Sequence, residues 1–307
     1  MSKVRFDRNN YKNTFNKDLD TDGIRVEYDD KFRRDNPDIP DEYRGHLKNY
    51  HTHTYRCNHA TGDVPDYCQR AVELGFDTIG FTEHNPFPKN SYLSDMRMKI
   101  EELPDYISDI NQARTDFPEL TIFSGLECDY RKRYDSFYKD YLLGEMGLDY
   151  LTGSVHVYPY NNEIRGVHGE VMNKEMRKAY TQSMIDIIES GIFIFVNHPD
   201  LFGQQLDRWT KEAEDMSRYI IQAAKENHIP LELNTSGIVK TFLHPDEVDR
   251  LNYPIVQFWE IVADEGCEVV INSDAHNPKR LDTNLWYGMK LSEKLGLKLW
   301  KGFIKAN

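Results

Sequence analysis

Eleven histidines run through this 307-residue chain, and seven of them fall at or just beyond the end of a short apolar run. His51 and His53 close the run Leu47–His53. Residues two apart share one face of an extended strand, so both imidazoles can turn to one cation. His59 follows in a loop that can fold back over them. The runs Thr78–His84, Tyr150–His156 and Ile192–His198 end on His84, His156 and His198. Leu120–Glu127 ends on an acid, where an unpaired charge would be costly. Glu268–His276 ends Asn272-Ser273-Asp274-Ala275-His276, which places Asp274 and His276 two apart. Singly, each is most simply a satisfied polar group. Together, His51, His53, His59, His84, Glu127, His156, His198, Asp274 and His276 pose a problem: each neutral imidazole needs both a donor and an acceptor partner, and imidazoles alone do not supply them. Cations resolve it. Imidazole and carboxylate without thiolate suit zinc, manganese or iron. Nine ligands are too many for one ion and enough for two or three, with a carboxylate bridging.

The elements that must position these residues alternate. Seven β-rich runs appear from about residue 46: the six above and Ile229–Thr235. Between them lie amphipathic stretches, among them Pro65–Leu74, Leu103–Asp116, Lys174–Glu189 and Thr210–Asn227. Alternating strands and helices predict a parallel sheet with helices outside, and seven such units predict a closed or nearly closed barrel. In such a barrel the active site forms at the C-terminal ends of the strands, where the histidines sit. No sequence repeat accompanies the alternation, which excludes a solenoid.

Composition narrows the classes further. Lys and Arg total 38 against 51 Asp and Glu, a formal charge of −13, which disfavours a general nucleic-acid or anionic-membrane binder. No apolar run approaches the ~20 residues of a membrane span. The start, Met1–Asp7, carries no apolar signal core, so a cytoplasmic chain is expected. Cys57, Cys68, Cys128 and Cys267 form no CxxC pair and read as free thiols. Residues 1–45 are nearly half charged and read as a solvated N-terminal extension preceding a barrel domain over 46–307. Within it, Asp18-Leu19-Asp20-Thr21-Asp22-Gly23 copies half a calcium loop, but Asp29 stands where a bidentate Glu is needed and Ile24 is misplaced.

The ordered set HTH, a following His, EH, GLE, SVH, NH and SDAH, spanning His51 to His276, resembles the PHP family, named for polymerase and histidinol phosphatase. The resemblance implies a distorted (β/α)7 barrel resembling a TIM barrel, with a trinuclear metal site. By analogy, His51, His53, Glu127 and Asp274 would hold one ion. Glu127 would bridge to a second, held also by His156 and His198. His59, His84 and His276 would hold the third. No ligand is missing, so a competent hydrolase is expected. Two close metals can lower the pKa of a shared water toward neutrality, and a third can neutralise charge on a phosphate. Glu127, Asp274 and His276 are the expected catalytic residues, with Asp274 a candidate proton donor to the leaving alkoxide.

Substrate anchoring rests on loop position. Arg56 lies between His53 and His59, Arg131 follows Glu127, and Arg165 lies in the loop after His156. Arginine in such a loop can hold phosphate in a bidentate fork. Asn234 ends the sixth run and fits a supporting or substrate role. Tyr55, Tyr130, Tyr158 and Tyr160 could wall a pocket for the leaving group. The activity implied is hydrolysis of a small phosphate monoester, L-histidinol phosphate foremost. Phosphotyrosine, a nucleotide or a sugar phosphate are alternatives, followed by an amidohydrolase-like reaction or a metal-bound scaffold without catalysis. Amidohydrolases generally bridge their metals with a modified Lys, where this chain presents Glu127. A small phosphorylated molecule is the expected partner; no membrane or nucleic-acid partner is.

Overall fold

A computed structural model of the chain describes residues 47–90, 94–168, 171–206, 208–237, 253–282 and 284–303. The charged extension 1–45, with the calcium-like Asp18–Asp29 segment, lies outside the described residues. Strands β1 (Leu47–Asn49), β2 (Phe76–His84), β3 (Thr121–Asp129) and β4 (Tyr150–Ser154) form one parallel sheet in that order. A second parallel group comprises β7 (Leu231–Asn234), β8 (Glu268–Asn272) and β9 (Lys298–Leu299). The two meet on both flanks. Val196 bridges to Gly153 and to Leu231, and Thr52 bridges to Ala275. The result is a curled parallel α/β sheet with helices packed around it.

The helices follow the amphipathic stretches. Among the described residues the α-helices are α1 (Val64–Leu74), α2 (Leu103–Asp116), α3 (Lys174–Glu189), α4 (Lys211–Glu226), α5 (Val256–Glu265) and α6 (Leu285–Leu295). Local chemistry fixes their ends. Asp63 and Asp66 form a capping box at the start of α1, beside Pro65, and Gly75 closes that helix at a φ of 75°. Asn173 and Thr210 cap α3 and α4 by accepting from Met176 N and Ala213 N.

The run 192–198 departs from expectation. It forms no regular strand, although it lies between β4 and β7. Ile194 N donates to Leu151 O and Asn197 N to Gly153 O on one side; Glu232 N donates to Val196 O on the other. His198 then leaves extended geometry at a φ of 29°, just before Pro199, which cuts the pairing short. The segment after His156 also differs. It is a hairpin, β5 (Val157–Tyr160) and β6 (Glu163–Gly166), turning on Asn161 and Asn162 at positive φ.

Alternation along β3 shows how the interior is stacked. Phe123, Gly125, Glu127 and Asp129 share the inner face. Phe123 packs against Tyr50 and Tyr150 in an aromatic layer with Phe195, Val270, Trp300 and Phe303. A Cβ on Gly125 would stand 2.8 Å from the Tyr150 ring, and one on Gly80 would stand 2.1 Å from its hydroxyl. Only glycine admits that ring, whose hydroxyl donates to Tyr50 O at 2.7 Å. Glu127 and Asp129 emerge beyond this layer, toward the strand C-termini. Among the described residues no helix is long and apolar enough to cross a membrane.

Candidate metal centre

All nine residues singled out by the sequence converge. Glu127, buried on β3, stands between two groups of imidazoles. Its Oε2 lies 2.9 Å from His84 Nδ1, 3.4 Å from His53 Nε2 and 3.5 Å from His51 Nε2. Its Oε1 lies 3.0 Å from His198 Nε2 and 3.6 Å from His156 Nε2, and accepts from Asn197 Nδ2 at 3.0 Å. Asp274 Oδ1 lies 3.4 Å from His51 Nε2, 3.2 Å from His53 Nε2 and 3.5 Å from His276 Nδ1. His276 Nε2 faces His59 Nε2 at 3.1 Å, and the His59 and His84 rings are 5.3 Å apart. Ligand atoms cluster within 4.8 Å in the sets His51/His53/Asp274, His84/Glu127/His156 and His53/His84/His276.

Electrostatics follows from burial and crowding. Burial disfavours charge on His51, but Glu232, Asp274 and Glu127 outweigh it and hold its pKa well above the ordinary value. Burial likewise opposes charge on His53, where Asp274 and Glu83 prevail and raise it to about 9. His84 and His276 go the other way: burial, reinforced by the His53 charge, pushes His84 well down and His276 to about 3. The carboxyls of Glu127 and Asp274 lie well below the usual range despite burial, because imidazoles surround them.

The donor set fits divalent cations. His51 Nε2 and His53 Nε2 point at each other across 3.0 Å. Asp274 Oδ1, His53 Nδ1 and Glu83 Oε2 are buried without a hydrogen-bond partner among the described residues. Glu83, Glu127, Glu232 and Asp274 are all buried, and among the described residues none pairs with lysine or arginine. Four carboxylates with so little compensating charge are costly unless cations sit among them. Nitrogen and oxygen donors of this kind suit zinc, manganese or iron.

The expected substrate anchors fare differently. Arg56 does not turn to the imidazoles. Its buried guanidinium forms ion pairs with Asp63 and Asp109 and stacks 4.7 Å from the Tyr55 ring, because the capped start of α1 and the outer face of α2 offer closer carboxylates. Arg131 spends its guanidinium on the carbonyls of Tyr130 and Val157, at 2.9 and 3.2 Å. Asn234 donates to Glu232 Oε2 at 2.9 Å and Asp274 Oδ2 at 3.2 Å, and its Oδ1 accepts from Ser236 N, so it ties two buried carboxylates together rather than offering a free amide. Arg165 lies on β6, half-exposed, 2.6 Å from Glu163 Oε2. Tyr130 and Tyr158 are buried in the main core, whereas Tyr55 is exposed. Cys128 packs into the core, as strand alternation predicts; Cys57 Sγ comes within 4.8 Å of ligand atoms of His59 and His276.

Sequence reasoning missed three buried groups. Asp129 lies two residues beyond Glu127, on the same face, and that spacing was the available signal. It accepts from His156 N at 2.8 Å and pairs with Arg97 at 2.9 Å. Glu83 accepts from Thr54 Oγ1 at 2.6 Å and faces His53 Nδ1 at 3.9 Å. Glu232 accepts from His51 Nδ1 at 2.7 Å.

Comparison with known proteins identifies the family. The PHP domain model matches residues 49–236. A Deinococcus radiodurans protein described as a probable histidinol-phosphatase is 30% identical over 236 residues, covering 74% of this chain and 85% of that protein. The histidinol-phosphatase of Bacillus subtilis is 27% identical over 219 residues, covering 62% of this chain and 81% of that one. A histidinol phosphate phosphatase from Lactococcus lactis, solved with zinc, L-histidinol and phosphate, superposes with a TM-score of 0.64 at 20% identity, over 82% of this chain and 94% of that one, a likeness of fold. With more than half its length matched and a 30% identical relative covered over most of its own length, the chain belongs to the PHP domain family.

Proposed function

We propose that this chain is a metal-dependent phosphomonoesterase that hydrolyses L-histidinol phosphate to L-histidinol and phosphate. The observation that carries the reading is Glu127, whose two oxygens face two separate imidazole groups at the strand C-termini. That is the disposition a bridging carboxylate needs. The relatives named as histidinol-phosphatases supply the substrate.

His51, His53, Glu127 and Asp274 would hold one divalent ion, Glu127, His156 and His198 a second, and His59, His84 and His276 a third. Zinc is the leading candidate, with manganese and iron as alternatives. Bound there, such ions supply an acidified water as nucleophile and positive charge for the phosphoryl oxygens. The protein supplies the rest. Asp274 is ionised, so it accepts a proton before it can donate one. With Oδ1 turned to the His51 and His53 nitrogens, where an ion would sit, this carboxylate is the group we assign to take the proton of the attacking water and return it to the leaving oxygen. Glu127 and His276 fix the geometry around it. Arg165, half-exposed on the hairpin that leaves directly from His156 and paired there with Glu163, is the basic residue we assign to the phosphate by its position beside the candidate ligand His156.

The same reading takes 46–307 as one (β/α)7 barrel, with the 192–198 segment as its irregular fifth strand, preceded by the charged extension. The four buried free thiols support a cytoplasmic location. The test is phosphate release from L-histidinol phosphate by zinc- or manganese-reconstituted protein. A kcat/KM in the range of ~10⁴–10⁸ M⁻¹s⁻¹ is expected. A negligible rate from fully metallated protein that turns over phosphotyrosine or a nucleotide would move the substrate assignment.

A further inference from the structure

Glu232 is wholly buried in the middle of β7, and its carboxylate holds four donors from four segments. Oε1 accepts from His51 Nδ1 at 2.7 Å and Asn272 Nδ2 at 2.8 Å. Oε2 accepts from the backbone N of His198 at 3.0 Å and Asn234 Nδ2 at 2.9 Å. A carboxylate has about four acceptor sites, so Glu232 is filled and is not itself a metal ligand.

We infer that Glu232 is a positioning residue of the metal centre: it fixes the tautomer of His51 and holds the backbone at His198, so that both imidazole groups flanking Glu127 are assembled before an ion arrives. The inference rests on the metal-centre reading above and is independent of the substrate. With its proton kept on Nδ1 when a cation displaces the one on Nε2, His51 turns the Nε2 lone pair toward His53 Nε2 and Asp274 Oδ1, where the cation would sit. The reverse tautomer would put a hydrogen there.

The backbone supports the same role. His198 and Asp274 occupy left-handed φ of 29° and 49°, conformations that non-glycine residues hold only when their surroundings impose them. Glu232 Oε2 receives the amide of His198. Asn234 Nδ2 is shared between Glu232 and Asp274 Oδ2, which passes the constraint on to the second residue. Asn272, bonded to Oε1, also accepts from Tyr50 N at 2.8 Å, fixing the chain one residue before His51. One buried anion thus ties the ends of β1 and β8 and the 198 turn to β7.

Two measurements test this. In zinc-loaded protein with ¹⁵N-labelled histidine, long-range ¹H–¹⁵N spectra should show His51 protonated at Nδ1 and metallated at Nε2. The opposite assignment overturns the inference without any variant. Glu232→Gln offers one oxygen and one NH₂, so it cannot accept on both sides. Zinc affinity, read by chelator competition without substrate, should fall 10–100-fold, as for other groups that orient metal-bound histidines. Zinc affinity within twofold of the parent protein, with the His51 tautomer unchanged, would refute the role. A purely structural carboxylate would instead lower the unfolding midpoints of the metal-free and zinc-loaded forms alike and leave the affinity unmoved. Absence of turnover on histidinol phosphate with intact zinc binding would count against the substrate alone.

Discussion

Replacing Glu127 is the sharpest test of how the site is built. The carboxylate is 1% exposed, and five imidazole nitrogens lie within 3.6 Å of its two oxygens. Glu127→Ala removes a buried charge from all of them at once and orphans Asn197 Nδ2. Breaking a buried pair by deleting one partner costs about 3–5 kcal/mol, which converts to roughly 10²–10⁴-fold in metal affinity at about 1.4 kcal/mol per decade. His59→Ala is the internal comparison. His59 is exposed, and among the described residues its ring nitrogens reach His276 Nε2 at 3.1 Å and the Cys57 carbonyl at 2.7 Å, so about tenfold is expected, ~1.4 kcal/mol, the scale of a hydrogen bond or two at an exposed site. The assay is zinc per chain by mass spectrometry after dialysis against a graded chelator, paired with phosphate release. Glu127→Gln, which keeps the shape and loses the charge, should fall close to Glu127→Ala. Full metal content and near-normal turnover in Glu127→Ala would show that the two imidazole groups do not depend on one bridging carboxylate. An effect of His59→Ala equal to that of Glu127→Ala would refute the ranking by burial.

Two further outcomes are expected. Arg56→Ala should lower the free energy of unfolding, read from urea curves, by about 1 kcal/mol or less per lost ion pair because Asp63 and Asp109 are partly exposed, and leave KM unchanged; a raised KM would return Arg56 to the substrate pocket. In metal-free protein the pKa of His53, raised from 6.5 to about 9, means that the folded state holds this proton more tightly, so its stabilisation is complete below pH 6.5 and is lost as pH rises through 9. That is on the order of 3 kcal/mol between those limits. Urea midpoints of chelator-treated protein should fall across that window, while those of zinc-loaded protein, where a cation replaces the proton, should not; parallel curves would refute the assignment.

Much of the site could be read along the chain because most of the candidate ligands stand at or near the C-terminal end of a β-rich run. A run of apolar residues that stops on His84, or on Glu127, states both the element and the end of it where the charge emerges. The spacing of His51 and His53, and of Asp274 and His276, states that each pair shares a face. The helices were equally local: α2 and α3 occupy the spans their periodicity predicts, because an apolar stripe and a cap are properties of neighbouring residues.

Partner choice was another matter. Arg56 sits between two candidate ligand histidines in sequence, yet its guanidinium goes to Asp63 and to Asp109, the latter 53 residues away on α2, since these carboxylates come within reach once the helices dock. The apolar run 192–198 looks like any other strand but is interrupted at His198, whose backbone is held by Glu232 from a neighbouring strand. Glu232 itself reads as one polar residue in an apolar run, and its pairing with His51 spans 181 positions. Sequence determined which residues could bind metal and at which end of the sheet they stand, because alternation and strand ends are short-range. The packing of distant segments alone decided which oxygen faces which nitrogen, because that depends on register and separation between strands that no local pattern encodes.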